Sequence, residues 1–327
     1  MLQIIADGLV IGSIISLGAI GLTITFSILR FANFAHGDFL AWGAYFAFSA
    51  LAVGVAVAWV PGVPGAAGAA AGAGGGQITP GVAVPPWLPL SFSWPLVGAL
   101  AIAAALTALM ALALDWALFK RLRLQGSITL VIASFGAALA MRNLLLFFYG
   151  GIPRYYSQEL QIAIPFLPRS VAGGLRVTPD QLFVLALTAV TVVALHLFLT
   201  RSTLGRSMRA TAHNPQLARV AGIDPERVLR ATWFLGGVLA AVAGVFAGLT
   251  VQLRPTLGLD LLLPLFAAVI LGGIGSVWGA VVGGLVVGLA ESASVALVGA
   301  EWRAAAAFVV LIAMLLLRPT GLFGERT

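Results

Sequence analysis

The chain has 327 residues, 61% hydrophobic and 9% charged, and a mean hydropathy of +1.06. Soluble domains carry roughly 25% charged residues, so this composition excludes a soluble globular enzyme. The formal charge of +7 comes from Arg and the single Lys120. Most of these residues lie between apolar runs, which is the positive-inside pattern of a membrane protein and not a nucleic-acid footprint.

At about 20 residues per crossing helix, residues 1–327 fit eight or nine spans of one all-α polytopic membrane domain. No Cys occurs, which excludes disulfides and thiolate sites. The N-terminus has no basic residue before Arg30 and so lacks the n-region of a cleavable signal; residues 2–29 read as a retained first span. A polar break follows, with Asn33, His36 and Asp38 just before the second apolar run, read as a span over 39–60. These three side chains either hydrogen-bond exposed backbone, cap the next helix through Asp38, or line a solute path.

Residues 61–86 are dense in Gly and Pro and cannot hold a helix. Lipid does not tolerate irregular backbone, so 61–93 reads as an aqueous loop outside the membrane. Spans are expected at 95–119 and 128–149, with Asp115 forming a local ion pair near Lys120. An ordered outer connector with four prolines runs over 150–180, and a fifth span covers 181–200. The stretch 201–230 then carries six Arg against Asp224 and Glu226. It and the cluster Lys120, Arg121, Arg123 are assigned to the cytoplasm, which places the N-terminus outside.

A sixth span is expected over 231–251, with a short outer loop at 253–260. Residues 261–271 make only about 16 Å of helix before Gly272, Gly273 and Gly275. They form either a half-helix or re-entrant element near 261–279 or part of a broken span. Spans over 277–298 and 302–317 complete the set. Arg318 and Arg326 favour a cytoplasmic C-terminus and hence an odd count. Gly236, Ala240, Gly244 and Gly248, and also Gly275, Gly279 and Gly283, recur every four residues, a spacing that lets helices pack closely or slide. Glu291 lies inside the 277–298 run, where an ionisable group faces a cavity or a polar partner.

The stretch 201–230 holds the strongest local signal. Asn214-Pro215 and Asp224-Pro225 each place a capping side chain before a Pro suited to the first helical position, and Gly222 can end a helix. The spacing predicts a short helix over 215–221 and a second from 225. Leu217, Val220 and Ala221 share one face, and a two-turn helix is unstable alone in water, so this one requires a docking partner. Arg209 and Arg219 flank it. Neither a Walker-type loop nor a catalytic pair stands out.

This loop, the segment from Asn33 to Tyr45, the segment from Ala267 to Glu291 and the tail from Arg318 to Gly324 resemble the branched-chain amino acid ABC transporter permeases of the LivH type. The likeness spans most of the chain. It implies a bacterial inner-membrane subunit that pairs with a second permease of the LivM type, two cytoplasmic ATPase subunits and a periplasmic binding protein. ATP and Mg would be bound by the ATPases, with no cofactor on this chain. It also implies that 215–221 is the coupling helix docked in an ATPase groove. The Ala/Gly-rich insertion at 61–77 departs from the pattern, and importers of urea and short amides share these motifs. The competing reading is an ion-coupled secondary transporter with His36, Asp38 or Glu291 as ion ligands.

Overall fold

A computed structural model describes residues 2–58, 95–156, 163–167, 175–318 and 320–324; the 61–77 insertion and the 61–93 loop lie outside them. In chain order, α1 (Leu2–Leu29), α2 (Ala35–Ala58), α3 (Pro95–Leu114) and α4 (Ser127–Tyr149) come first. A small antiparallel pair, β1 (Ile164–Leu167) and β2 (Leu175–Val177), sits in the outer connector. Then follow α5 (Pro179–Arg201), α6 (Thr203–His213), α7 (Pro215–Val220), α8 (Pro225–Thr250), α9 (Leu257–Gly272), α10 (Val277–Leu297) and α11 (Arg303–Leu317). Seven helical runs among the described residues are long and apolar enough to cross a membrane. To these α2 adds 24 residues and α9 adds 16.

α1 is apolar on every side, and such a helix belongs inside; it is buried along most of its length. α10 runs antiparallel against it, because small residues let the backbones meet. Gly12 faces Leu285 and Gly288, and Ser16 Oγ donates to Val281 O at 2.9 Å. α8 is the second buried pillar, and its glycines serve close packing: Gly236 lies at Thr25, Gly244 at the Leu40 carbonyl and Gly248 at Tyr156.

α2 begins at mid-height of the bundle. α1 closes with Arg30 in the left-handed region at φ 55°, and six residues later the chain has climbed back far enough for His36 Nε2 to hydrogen-bond Gly18 O at 3.0 Å, beside the middle of α1. Alignment with α4 agrees. Phe34 N donates to Ser134 Oγ at 3.1 Å and Trp42 Nε1 to Met141 O at 3.1 Å, so the first eight residues of α4, about 12 Å of helix, lie below the start of α2.

α9 is the counterpart from the other side. Beyond α8, Leu253 pairs with Arg154 in an isolated bridge, and the chain re-enters so that Gly258 meets Gly37 backbone to backbone. The half-helix expected over 261–271 therefore starts at 257, and residues 257–260 are helix where a loop was expected. α9 does not continue through the glycines: Gly273 (φ 97°) and Gly275 (φ 94°) make a tight turn, after which α10 folds back antiparallel, with Gly283 on Ala268 and Gly279 on Gly272.

The C-terminal tail closes this turn, since Leu322 N donates to Leu271 O at 2.9 Å and Phe323 N to Gly272 O at 3.0 Å. Gly275 N in turn donates to Thr23 Oγ1 at 3.0 Å, near the C-terminal end of α1. The tail thus lies at the end of the bundle where α1 finishes, opposite the start of α1. Deleting residues 321–327 leaves two buried carbonyls unpaired, at about 1–3 kcal/mol each. A fall of several degrees in the thermal midpoint of the purified protein is expected, and an unchanged midpoint would show that the tail does not hold the turn.

Candidate functional site

At the end of the bundle where α1 finishes, three caps shape the chain. Ser202 Oγ accepts from Gly205 N at 2.8 Å and opens α6, an element not anticipated from the sequence. Asn214 Oδ1 accepts from Gln216 N and Leu217 N, both at 3.0 Å, and opens α7. α7 ends one residue short of the expected 221, in a Schellman closure: Gly222 (φ 82°) donates to Arg219 O and Ile223 N to Ala218 O, both at 3.0 Å. Asp224 Oδ1 then accepts from Glu226 N at 2.9 Å and opens α8, which runs unbroken into the membrane.

These caps fix which side of α7 faces inward. Ala218 is 5% exposed, whereas Leu217 is 65% and Val220 86% exposed, and Ala221 is also exposed. Arg219 points to solvent; Arg209, on α6, lines a cleft of about 880 Å³ together with Arg30, Met208, His213 and Phe323. The two basic clusters meet at this end. Glu226 receives Lys120 Nζ at 3.3 Å and Arg123 Nη1 at 3.4 Å. Asp115 forms the local ion pair expected near Lys120, with Arg123 as its partner at 2.5 Å; it stands in a π-helical turn over Asp115–Phe119.

Inside the bundle the polar residues separate into two places. Asn33 Oδ1 accepts from Ala35 N at 3.1 Å, so Asn33 caps α2 and Asp38 does not. Asp38 lies in the first turn of α2, 1% exposed, with Arg142 Nη2 3.3 Å from its Oδ2. His36 is held by Gly18 as described. Glu291 lies apart, buried in α10, and accepts from Arg303 Nε at 2.8 Å. Among the described residues no group of three or more His, Asp or Glu side chains could hold a metal ion.

The sequence matches a family described as the permease component of branched-chain amino acid transport systems over residues 4–317. The chain belongs to that family. This permease is 29% identical to the high-affinity branched-chain amino acid transport system permease protein LivH of Escherichia coli, over 99% of this chain and 96% of that one. It is 29% identical to the corresponding protein BraD of Pseudomonas aeruginosa over the same shares. A probable branched-chain amino acid transport permease protein LivH of Methanocaldococcus jannaschii is 25% identical over 98% of this chain and 92% of that protein. The permease is a multi-pass inner-membrane protein, and its fold brings Arg209, Pro215, Leu217, Arg219, Val220, Ala221 and Gly222 to one end of the bundle. Asn33, His36 and Asp38 gather at mid-height, with Glu291 elsewhere. Sequence reading passed over Arg142 and Arg303, the partners of Asp38 and Glu291. A lone Arg inside each apolar run was the available signal, since an unpaired charge is costly at such depth.

Proposed function

We propose that this permease is the membrane-crossing subunit of an ATP-driven importer of branched-chain or related hydrophobic amino acids. Solute delivered by a periplasmic binding protein crosses between this chain and a second, LivM-type permease. Two cytoplasmic ATPase subunits, which bind ATP and Mg, drive the cycle through residues 209–222, with α7 as the coupling helix. The observation that carries the reading is the outward apolar pair Leu217 and Val220. It stands on a helix too short to persist alone, anchored through Ala218 and locked by caps at both ends.

A rigid, capped knob with an apolar tip suits a groove in a moving partner, because it transmits displacement without bending. Arg209 and Arg219 orient it by charge. The family membership and the full-length likeness to branched-chain amino acid permeases support the substrate class. Membrane vesicles holding the permease, its companion, the ATPases and the binding protein should accumulate leucine when ATP is supplied, and should continue to do so with an uncoupler present. Uptake that ignores ATP and collapses with the uncoupler would replace this reading with ion-coupled transport.

A further inference from the structure

The cleft beside α6 is built from helix ends. The last turns of α1, α5, α9 and α11 and the first residue of α10 line it, through Ile28, Leu199, Ile270, Leu315 and Val277, around a volume of about 880 Å³. Four of these helices, all but α9, are long and apolar enough to cross a membrane, so the level at which they stop is the level of the bilayer surface. Trp278, exposed one residue beyond Val277, is the kind of side chain that gathers there. The wall at α11 runs on into surface that faces lipid, since Leu315, Leu316 and Leu317 are all exposed.

The lining divides by chemistry. Along α1 it covers about 9 Å of chain, from Ile24 at depth to Arg30 at the rim. Ile24, Leu199, Ile270, Ile274 and Leu315 make the walls apolar, and the rim carries Arg30 together with Arg209 and His213, which stand one turn apart on α6. No acidic residue lines the cleft. Among the described residues neither Arg30 nor Arg209 enters an ion pair, and both are exposed. Arg30 is also the one described non-glycine residue with a positive φ, 55°. That backbone favours Gly or Asn, and a long cationic side chain held there points to a use for its charge. The N-terminus of α10 opens on the same cleft at Ser276 and Val277 and adds its partial positive charge. A basic surface that merely met water would need no apolar wall behind it.

We propose that this cleft holds an anionic phospholipid, its phosphate bound by Arg30 and Arg209, with His213 donating to a headgroup oxygen and the glycerol and first acyl carbons lying on Ile274 and Leu315. A guanidinium presents a planar fork that suits phosphate oxygens, and basic pockets between helices at a membrane surface are where anionic headgroups lodge. The apolar wall that leads to the lipid-facing end of α11 selects a lipid over a free phosphate. A phosphate shared by Arg30 and Arg209 ties α6 to the end of α1, and α6 passes through Asn214 directly into α7. Lipid thus steadies the base on which α7 stands, which gives Arg209 a means of orienting it. The inference does not depend on which solute the permease carries.

The test is lipid retention by the full-length permease, purified in detergent with the subunits that accompany it and offered equal amounts of phosphatidylglycerol and phosphatidylcholine, with bound lipid counted by native mass spectrometry. Expected is at least one phosphatidylglycerol held with about fivefold or greater preference, and loss of that lipid in the double variant Arg30→Gln, Arg209→Gln. Exposed side chains outside any ion pair are ordinarily exchanged at little cost to the fold. No preference in the unmodified protein, as would result if a partner subunit covered the cleft, overturns the inference, and so does a preference that the double variant keeps. Excess inorganic phosphate is the second arm: the lipid should stay bound, and its displacement would show an anion site without lipid selectivity and overturn the inference. Should the double variant not fold, Arg209→Glu decides, because a carboxylate at the rim repels the headgroup; the preference should fall at least fivefold, and an unchanged preference overturns the inference.

Discussion

Val220→Asp and Leu217→Asp are each expected to abolish ATP-coupled uptake while the permease still inserts and pairs with its companion. Both side chains point to solvent in the free subunit, and surface substitutions away from structural features usually change stability by within about 0.5 kcal/mol. The fold has no reason to fail. Docked in an apolar groove, however, an unpaired carboxylate costs several kcal/mol, and about 4 kcal/mol is already a thousandfold in affinity. Co-purification of the ATPases with the permease and uptake into vesicles measure the two halves of the effect. Full ATP-driven uptake in both variants would falsify the docking role of α7. Arg219→Ala should act more mildly, weakening the association most at low salt and less as salt is added, because salt already screens an exposed charge contact in the unmodified protein.

The second large effect is expected at the junction of the two mid-height helix starts. A side chain at Gly258 would run into the carbonyl group of Gly37, and one at Gly37 into that of Gly258. A clash with backbone cannot be relieved by turning a rotamer. Overpacking of a tight interior costs about 1–3 kcal/mol and sometimes more, and Gly258→Val belongs at the upper end or beyond it, because α2 and α9 must separate together. Loss of most assembled protein, or a thermal midpoint lowered by many degrees, is the expected result, with Gly258→Ala intermediate. Gly98→Ala is the contrast, since nothing stands within 4 Å of a Cβ placed there. A Gly258→Val protein as stable as the Gly98→Ala protein would mean that the two helix starts do not touch.

The parts of the permease legible in its sequence are those written in local chemistry. Asn214-Pro215, Gly222 and Asp224-Pro225 fold as capping rules require, because each cap is closed by groups close together in the chain. The break at 30–38 and the glycine run at 272–275 were visible for the same reason. What was not legible is height. Nothing near His36 in the chain says that it will stand beside Gly18 at mid-bundle, since that follows from how steeply five intervening residues climb.

Long-range pairing was equally hidden. Arg142 lies 104 residues from Asp38, and no spacing rule links them. Asp115 was legible as a member of a local ion pair but its partner was not, because Arg123 lies beyond the i, i+3 and i, i+4 spacings that mark helical neighbours. α6 was overlooked although Ser202 marks its start, because eleven residues with only Leu204 and Met208 as large apolar side chains read as loop beside a basic cluster.

The grip of the tail on the α9–α10 turn also imposes an order of events during biosynthesis. α9 has 16 residues with Pro264 inside it, shorter than the roughly 20 that an insertion machinery recognises as a span, so it enters the bilayer as a hairpin with α10 and not by itself. The donors that close the turn of this hairpin, Leu322 N and Phe323 N, follow α10 and α11 in the chain. The turn is therefore closed only after both of those helices have been translated, and until then the carbonyls of Leu271 and Gly272 lack these partners.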